Sequence, residues 1–258
     1  MPSYIENFRK YRPLLEELVS RDVKIKYRRS VLGVFWTLLN PLLMMIVLSV
    51  VFSNLFKFDI ENFPLYLLSG QIIFNFFNDA TSNAMSAIIG NAALIKKVYV
   101  PKYMFVLSRV ISSVINLLAS CVALFLVMIA TRAELHWTML FAWVPILLLI
   151  GMSLGIGLFL AAITVKFRDV MHLYSVLMSV LMYLSPVIYP MSILPEWLKD
   201  AVMLNPLTNI IVMFRELVIY DTMLNPEALI LAVVQTGLCL AVGIYVFYKK
   251  QDGFILDL

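Results

Sequence analysis

The sequence predicts an all-α, polytopic membrane protein. It has six transmembrane helices, an N-terminal amphipathic interface helix, and short re-entrant outer helices before the last span. Three observations carry that expectation. Hydrophobic residues make up 62% of the 258 and charged residues only 14%, with a mean hydropathy of +0.92, whereas roughly a quarter of residues are charged in soluble domains. No residue from Ser30 to Phe56 bears a charge, a run longer than the ~20 apolar residues that cross a hydrocarbon core. Arg21, Lys24, Lys26, Arg28 and Arg29 abut that run against one acid, Asp22, with Arg12 upstream. Lys and Arg resist translocation, so the N-terminus is expected on the cytoplasmic side.

The elements follow in order. Tyr4, Phe8, Tyr11, Leu15 and Leu18 recur at spacings of four and three with charges between them, the pattern of a helix lying along an interface. Pro13 is expected either to break this helix or to sit in the first turn of a second one. Span one covers 31–56, and Pro41 predicts a kink near Leu38–Asn40. Lys57, Asp59 and Glu61 form a short outer loop before span two, 63–89, which contains Asp79. An inner loop with Lys96, Lys97 and Lys102 leads to span three, 104–131, which has Arg109 near its inner end.

Span four, 140–165, carries the glycines Gly151, Gly155 and Gly157, small residues that let membrane helices approach closely. Span five is 170–189. The uncharged piece Ala201–Phe214, interrupted by Pro206, is too short to span and reads as re-entrant or interfacial. Residues 189–221 are therefore expected as a pair of short outer helices. Span six, 228–248, ends at Lys249 and Lys250. With this topology, 16 of the 20 Lys and Arg fall inside, leaving Lys57, Arg132, Lys199 and Arg215 outside. Acids divide nearly evenly, which is the asymmetry insertion produces. Both termini are thus expected in the cytoplasm of a multi-pass protein, with no separate soluble domain.

Composition excludes several classes. The basic residues sit beside spans, so the sequence pI of about 9.0 reflects insertion and not nucleic-acid binding. Cys121 and Cys239 lie in apolar segments and show no disulfide or metal framework. The first residues lack an apolar signal core, so no cleavable signal peptide is expected. His136 and His172 sit at span ends, away from any catalytic set. No catalytic and no metal-ligating residues are assigned. None of the nine glycines is followed by Lys, so the chain has no GxxxxGK[ST] phosphate-binding loop.

Four blocks then resemble one family. RDVKIKYRRSVLGVFWTLLNPL from Arg21, LIKKVYVPKY (Leu94–Tyr103), VKFRDV (Val165–Val170) and SPVIYP…LP…NPL…FRE (Ser185–Glu216) stand in register along the whole chain. Together they resemble the membrane subunits of polysaccharide ABC exporters. These are the O-antigen, teichoic-acid and capsule permeases of the Wzm and TagG kind, in the ABC-2-type class. The resemblance implies a single ABC-2-type transmembrane domain over 1–258 in the bacterial plasma membrane. It implies a channel made with a second copy, driven by two copies of an ABC ATPase subunit that bind ATP and Mg, with no cofactor in this chain. The cargo implied is a polyprenyl-pyrophosphate-linked polysaccharide. An exporter of a drug or simple lipid is the alternative, and an intramembrane glycosyl- or acyltransferase a further one that would need clustered carboxylates or histidines.

Site residues follow from the residues and the resemblance together. Leu94, Ile95, Lys96, Lys97, Val98 and Tyr99 look like the family's coupling helix, a short helix ended near Pro101 that docks on the ATPase; an ordinary basic turn is the other reading. Arg21, Lys24, Lys26, Arg28 and Arg29 suit the lipid pyrophosphate at the channel mouth, or simply serve insertion. Sugar C–H faces pack on aromatic rings, which nominates Phe35, Trp36, Phe74, Phe76, Phe77, Tyr174, Tyr183 and Tyr189 for the channel; aromatic belts at the interfaces are the competing use. In the family, spans one and five line the channel, which favours Trp36, Tyr174 and Tyr183. Asp79 and Arg109 are intramembrane charges and should face protein or water, with a structural pairing or contact to polar neighbours expected. The 189–221 segment resembles the family's gate helices.

Overall fold

A computed structural model describes the backbone of residues 4–27, 32–33, 35–56 and 60–258, and the side chains of 9–25, 32–33, 35–52 and 60–258. Arg28, Arg29, the Lys26 side chain, the start of the first expected span at Val31 and the outer-loop residues Lys57 and Asp59 lie outside them. Twelve α-helices run through the described residues, with no strand among them. They are α1 (Tyr4–Tyr27), α2 (Phe35–Phe56), α3 (Phe63–Met85), α4 (Ala87–Gly90), α5 (Ala92–Ile95) and α6 (Tyr103–Ala130). Then come α7 (Trp143–Thr164), α8 (Val170–Leu184), α9 (Glu196–Met203), α10 (Pro206–Val218), α11 (Pro226–Lys250) and α12 (Phe254–Asp257).

Helix α3 is the hub, packing against α2, α6, α7, α8 and α10. Its buried residues Leu67, Leu68, Ile72, Ile73 and Phe76 join Leu149 and Met152 of α7 and Ile210, Ile211 and Phe214 of α10 in one apolar core. A second core gathers the opposite end of the molecule. There Leu15 and Leu18 of α1 meet Ile95, Met104, Phe105, Phe247 and Phe254. Lys102 reaches over to the Gln251 carbonyl and the Phe254 ring, fastening the C-terminal turn to the start of α6.

Local sequence explains where several helices begin. Asn62, Asn205 and Asn225 each accept a hydrogen bond from a backbone N–H of the following first turn, at 3.2, 3.0 and 2.9 Å. Each is followed within two residues by Pro64, Pro206 or Pro226, which needs no N–H donor there. The buried hydroxyls of Thr81, Ser113 and Thr164 donate to the carbonyl four residues back, so each satisfies itself within its own helix.

The expected elements are met with differences. Pro13 neither breaks α1 nor starts a new helix: it lies inside one continuous helix of 24 residues. Helix α2 likewise runs unbroken through Pro41. Four helices among the described residues are long and apolar enough to cross a membrane: α2, α6, α7 with the 3-10 turn before it, and α11 with its C-terminal extension. The pair α9 and α10, bent by 96°, would make a fifth if taken as one span. Helix α3 has the length, with 23 residues, but much of its surface is polar. Helix α8 has 15 residues, about 22 Å at 1.5 Å per residue. That is short of a ~30 Å hydrocarbon core, so the expected fifth span is helical over only part of its range. The pair of short helices expected within 189–221 is present as α9 and α10. Asn205 and Pro206 cause the break between them.

Candidate functional site

The hub helix carries the feature that directs function. Along α3, Asn75, Asp79 and Asn83 recur at every fourth residue and are exposed, while Asn78, Ser82 and Ser86 form an adjacent half-buried row. Two polar rows on a helix surrounded by apolar ones cannot face lipid, because hydrocarbon offers them no partner. They must face water or another polar surface. Across from the half-buried row, α8 turns Ser175 and Ser179 to the same side. Between α3 and α8 lies a groove of about 530 Å³ with Asn78, Ser82, Ser175 and Ser179 on its walls. Phe74, Tyr174, Tyr183 and four methionines supply the apolar part of the lining.

Helix α8 is lightly held. Only Tyr174 and Met178 are buried on it, and Tyr174 donates a 2.6 Å hydrogen bond to the Thr81 hydroxyl of α3. Val170, Met171, Leu181 and Met182 are half-buried against the core, while Leu173, Val176, Val180 and Tyr183 are exposed. A helix with one anchored stripe and an open remainder suits the wall of a passage completed by other parts.

At the α1 end, three elements are joined by an ion pair and a hydrogen bond. The Asp22 carboxylate of α1 meets Arg109 of α6 at 3.3 Å and Arg21 at 3.2 Å. Arg21 also donates to the Asn91 side chain at 2.9 Å, and Asn91 precedes α5. Arg109 and Asp22 line a second cavity, about 430 Å³, together with Asp79, Asn83 and Asn116. The structure brings Asp79 and Arg109 to one polar cavity and gives Arg109 an acidic neighbour in Asp22; sequence reasoning anticipated polar company for both charges but not Asp22. Asp22→Ala is expected to lower the thermal midpoint in detergent, at a cost of about 1–3 kcal/mol. Arg12→Ala, whose ion pair with Glu16 is mostly exposed, should change it little. Equal midpoints for the two variants would contradict this assignment.

The turn between α5 and α6 presents Lys96, Lys97, Val98 and Tyr99, the last 89% exposed, while Ile95 is buried. Helix α5 ends at Ile95 and not near Pro101, because Lys96–Val98 close it with turn hydrogen bonds to Ala92 and Leu94. The exposed KFRD turn, Lys166–Asp169, is the link between α7 and α8.

At the opposite end, Arg215 of α10 is 3% exposed. Its guanidinium donates to the Tyr66 carbonyl and the Ser69 hydroxyl of α3 and to the Pro186 and Val187 carbonyls beyond α8, and it stacks 3.5 Å from the Tyr66 ring centroid.

The sequence model of the ABC-2 type transporter family matches residues 13–219. The chain belongs to that family. Similar proteins include the O-antigen export system permease protein RfbA of Myxococcus xanthus, 28% identical over 246 residues that cover 95% of both chains. The protein of the same name from Klebsiella pneumoniae is 27% identical over 93% of both. The polysialic acid transport protein KpsM of Escherichia coli is 22% identical over 93% of this chain and 95% of its own.

In this ABC-2 type transporter the aromatics nominated from sequence separate. Phe74, Tyr174 and Tyr183 line the α3–α8 groove. Tyr183 is 73% exposed, whereas Tyr174 is largely consumed by its bond to Thr81. Phe76 and Phe77 are core residues. Phe35 and Trp36 are exposed in the first turn of α2 and are not part of the groove lining. Tyr189 lies past the end of α8 and donates to the Tyr183 carbonyl at 2.8 Å. Of the basic cluster, Arg21 is engaged by Asp22 and Asn91, and Lys24 is exposed. Two functional features were missed. The α3 polar rows were readable from Asn75, Asn78, Ser82 and Asn83 at helical spacing; Arg215 read as an ordinary outer charge.

Proposed function

We propose that this chain is the channel-forming permease subunit of an ATP-driven exporter. It moves a polyprenyl-pyrophosphate-linked polysaccharide, of the O-antigen, capsule or teichoic-acid class, out of the bacterial cytoplasm. The observation that carries this reading is the polar face of α3 opposite Ser175, Ser179 and Tyr183 of α8. Amide and hydroxyl groups exchange hydrogen bonds with sugar hydroxyls as water does, and rings pack weakly on sugar C–H faces. Such a wall holds many units loosely and none tightly. A drug or simple lipid would need neither polar row.

The proposal includes six membrane-crossing segments, with α3 and α8 among them despite polarity and shortness, and both termini in the cytoplasm. Helix α1 then lies at the inner interface and the bent pair α9–α10 closes the outer end. A second copy completes the passage. Two ATPase subunits, binding ATP and Mg, grip the Lys96–Tyr99 turn, and the exposed KFRD turn leads directly into the lightly held wall α8. Lys24 and the neighbouring basic residues receive the lipid pyrophosphate. The similarity to O-antigen and capsule permeases supports the cargo class.

The test is reconstitution with the ATPase subunit, reading flux of labelled lipid-linked glycan into vesicles. ATP-dependent flux is expected; movement of a hydrophobic dye but no glycan would overturn the reading. Tyr99→Asp changes a side chain the fold barely uses. It is expected to weaken capture of the ATPase roughly tenfold or more, the effect of losing an aromatic hot spot. Undiminished capture would remove this turn from the docking surface.

A further inference from the structure

We propose that Arg215 and Gly70 form a latch that keeps the outer end of the passage shut between transport cycles. The inference rests on the export reading for what the passage carries, but not for the latch itself. Arg215 sits in a cage made of neutral groups: three backbone carbonyls, the Ser69 hydroxyl and the Tyr66 ring. Among the described residues it has no carboxylate within ion-pair distance. A buried guanidinium without a counter-charge is tolerated only while its donors are matched. The cage is therefore closed as a whole or abandoned as a whole, which is the behaviour of a two-position catch.

Its place in the fold gives the catch a job. The carbonyls of Pro186 and Val187 belong to the turn that ends α8, the lightly held wall of the groove. Asn205, just before α10, donates to Ser185 in the same turn, and Tyr66 donates to the Tyr189 carbonyl. The outer end of α8 is thus tied to α3 and α10 through this turn, while its inner end emerges from the exposed KFRD turn. A pull at the inner end would tilt α8 against a fastening whose centre is Arg215. Gly70 makes the cage possible. A Cβ there would lie 2.5 Å from Arg215 Nη2 and 3.1 Å from the Val187 carbonyl oxygen, so any side chain expels the guanidinium.

The test uses the full chain in vesicles loaded with carboxyfluorescein, without ATP, so no knowledge of the cargo enters. Arg215→Lys keeps the charge but cannot fork across three carbonyls, and Gly70→Ala disturbs the cage while leaving the sequence of α10 unchanged. Each is expected to speed dye leak roughly tenfold, equivalent to about 1.4 kcal/mol between shut and open. The double variant should leak no faster than the worse single one, because both changes undo one catch. Either variant inserted like the parent and equally tight would overturn the latch while leaving the export reading in place. If Arg215→Lys fails to insert, Gly70→Ala alone decides, and failure of both to insert would equally overturn it, making the cage a folding element only.

Discussion

Gly155→Leu and Gly243→Leu are each expected to remove most of the folded protein from the membrane. Helix α11 buries few residues, Ala232, Thr236, Gly243 and Phe247, and packs chiefly on α7. Apolar faces gain nothing by leaving lipid, so close backbone approach must hold the pair. A Cβ on Gly155 would lie 2.5 Å from the Cys239 carbonyl carbon and oxygen, and one on Gly243 would run into the Gly155 carbonyl. Backbone cannot step aside as a side chain does, so the helices must separate, at a cost of about 3 kcal/mol or more. Gly237→Leu, on the same helix with nothing within 4 Å, should be harmless. Monodisperse yield and thermal midpoint compare the three. Equal behaviour of Gly155→Leu and Gly237→Leu would mean that α7 and α11 do not meet here.

The second large effect concerns transport alone. Asn78→Leu combined with Ser82→Leu should cut ATP-driven glycan flux at least roughly tenfold, ~1.4 kcal/mol, while thermal stability holds or rises. Both side chains line the α3–α8 groove, and replacing hydrogen-bonding groups there by leucine removes polar partners without breaking a packing contact of the core. Hydrolysis by the ATPase subunit should persist, because Asn78 and Ser82 face the α3–α8 groove and neither belongs to the Lys96–Tyr99 turn. Flux equal to the parent's would show that α3 does not line the path.

How much of this was legible in the sequence differs by element. The long apolar helices α2, α6, α7 and α11 were read within a few residues of their ends, because an uncharged run of that length has few other uses. The α9–α10 pair was also legible, since prolines set its limits. Helix α8 was read too long: Ser185 and Pro186 are as apolar in context as what precedes them, but the backbone leaves the helix there to offer carbonyls to Arg215. Asp22 was counted as a lone acid in a basic stretch. It is instead the hub joining α1 to α6, a contact made 87 residues away that no local pattern reports. Trp36 was nominated by type and by the resemblance; it is exposed on α2 outside the α3–α8 groove, a placement that ring type alone does not report. The polar rows of α3 stand in the sequence at helical spacing, interleaved with the more conspicuous rings of Phe74, Phe76 and Phe77. Asn or Asp at every fourth position in a membrane helix, as in Asn75, Asp79 and Asn83, is the stronger signal, since a polar group facing hydrocarbon is costly.

On the export reading proposed above, glycan travels along α3 and α8. A photoreactive amino acid at Ser179 of α8, and another at Val233 on the exposed face of α11, tests it directly when illuminated during ATP-driven transport of radiolabelled glycan. Labelled adduct at position 179 and none at 233 is the predicted result; adduct at 233 with position 179 clean would contradict the account.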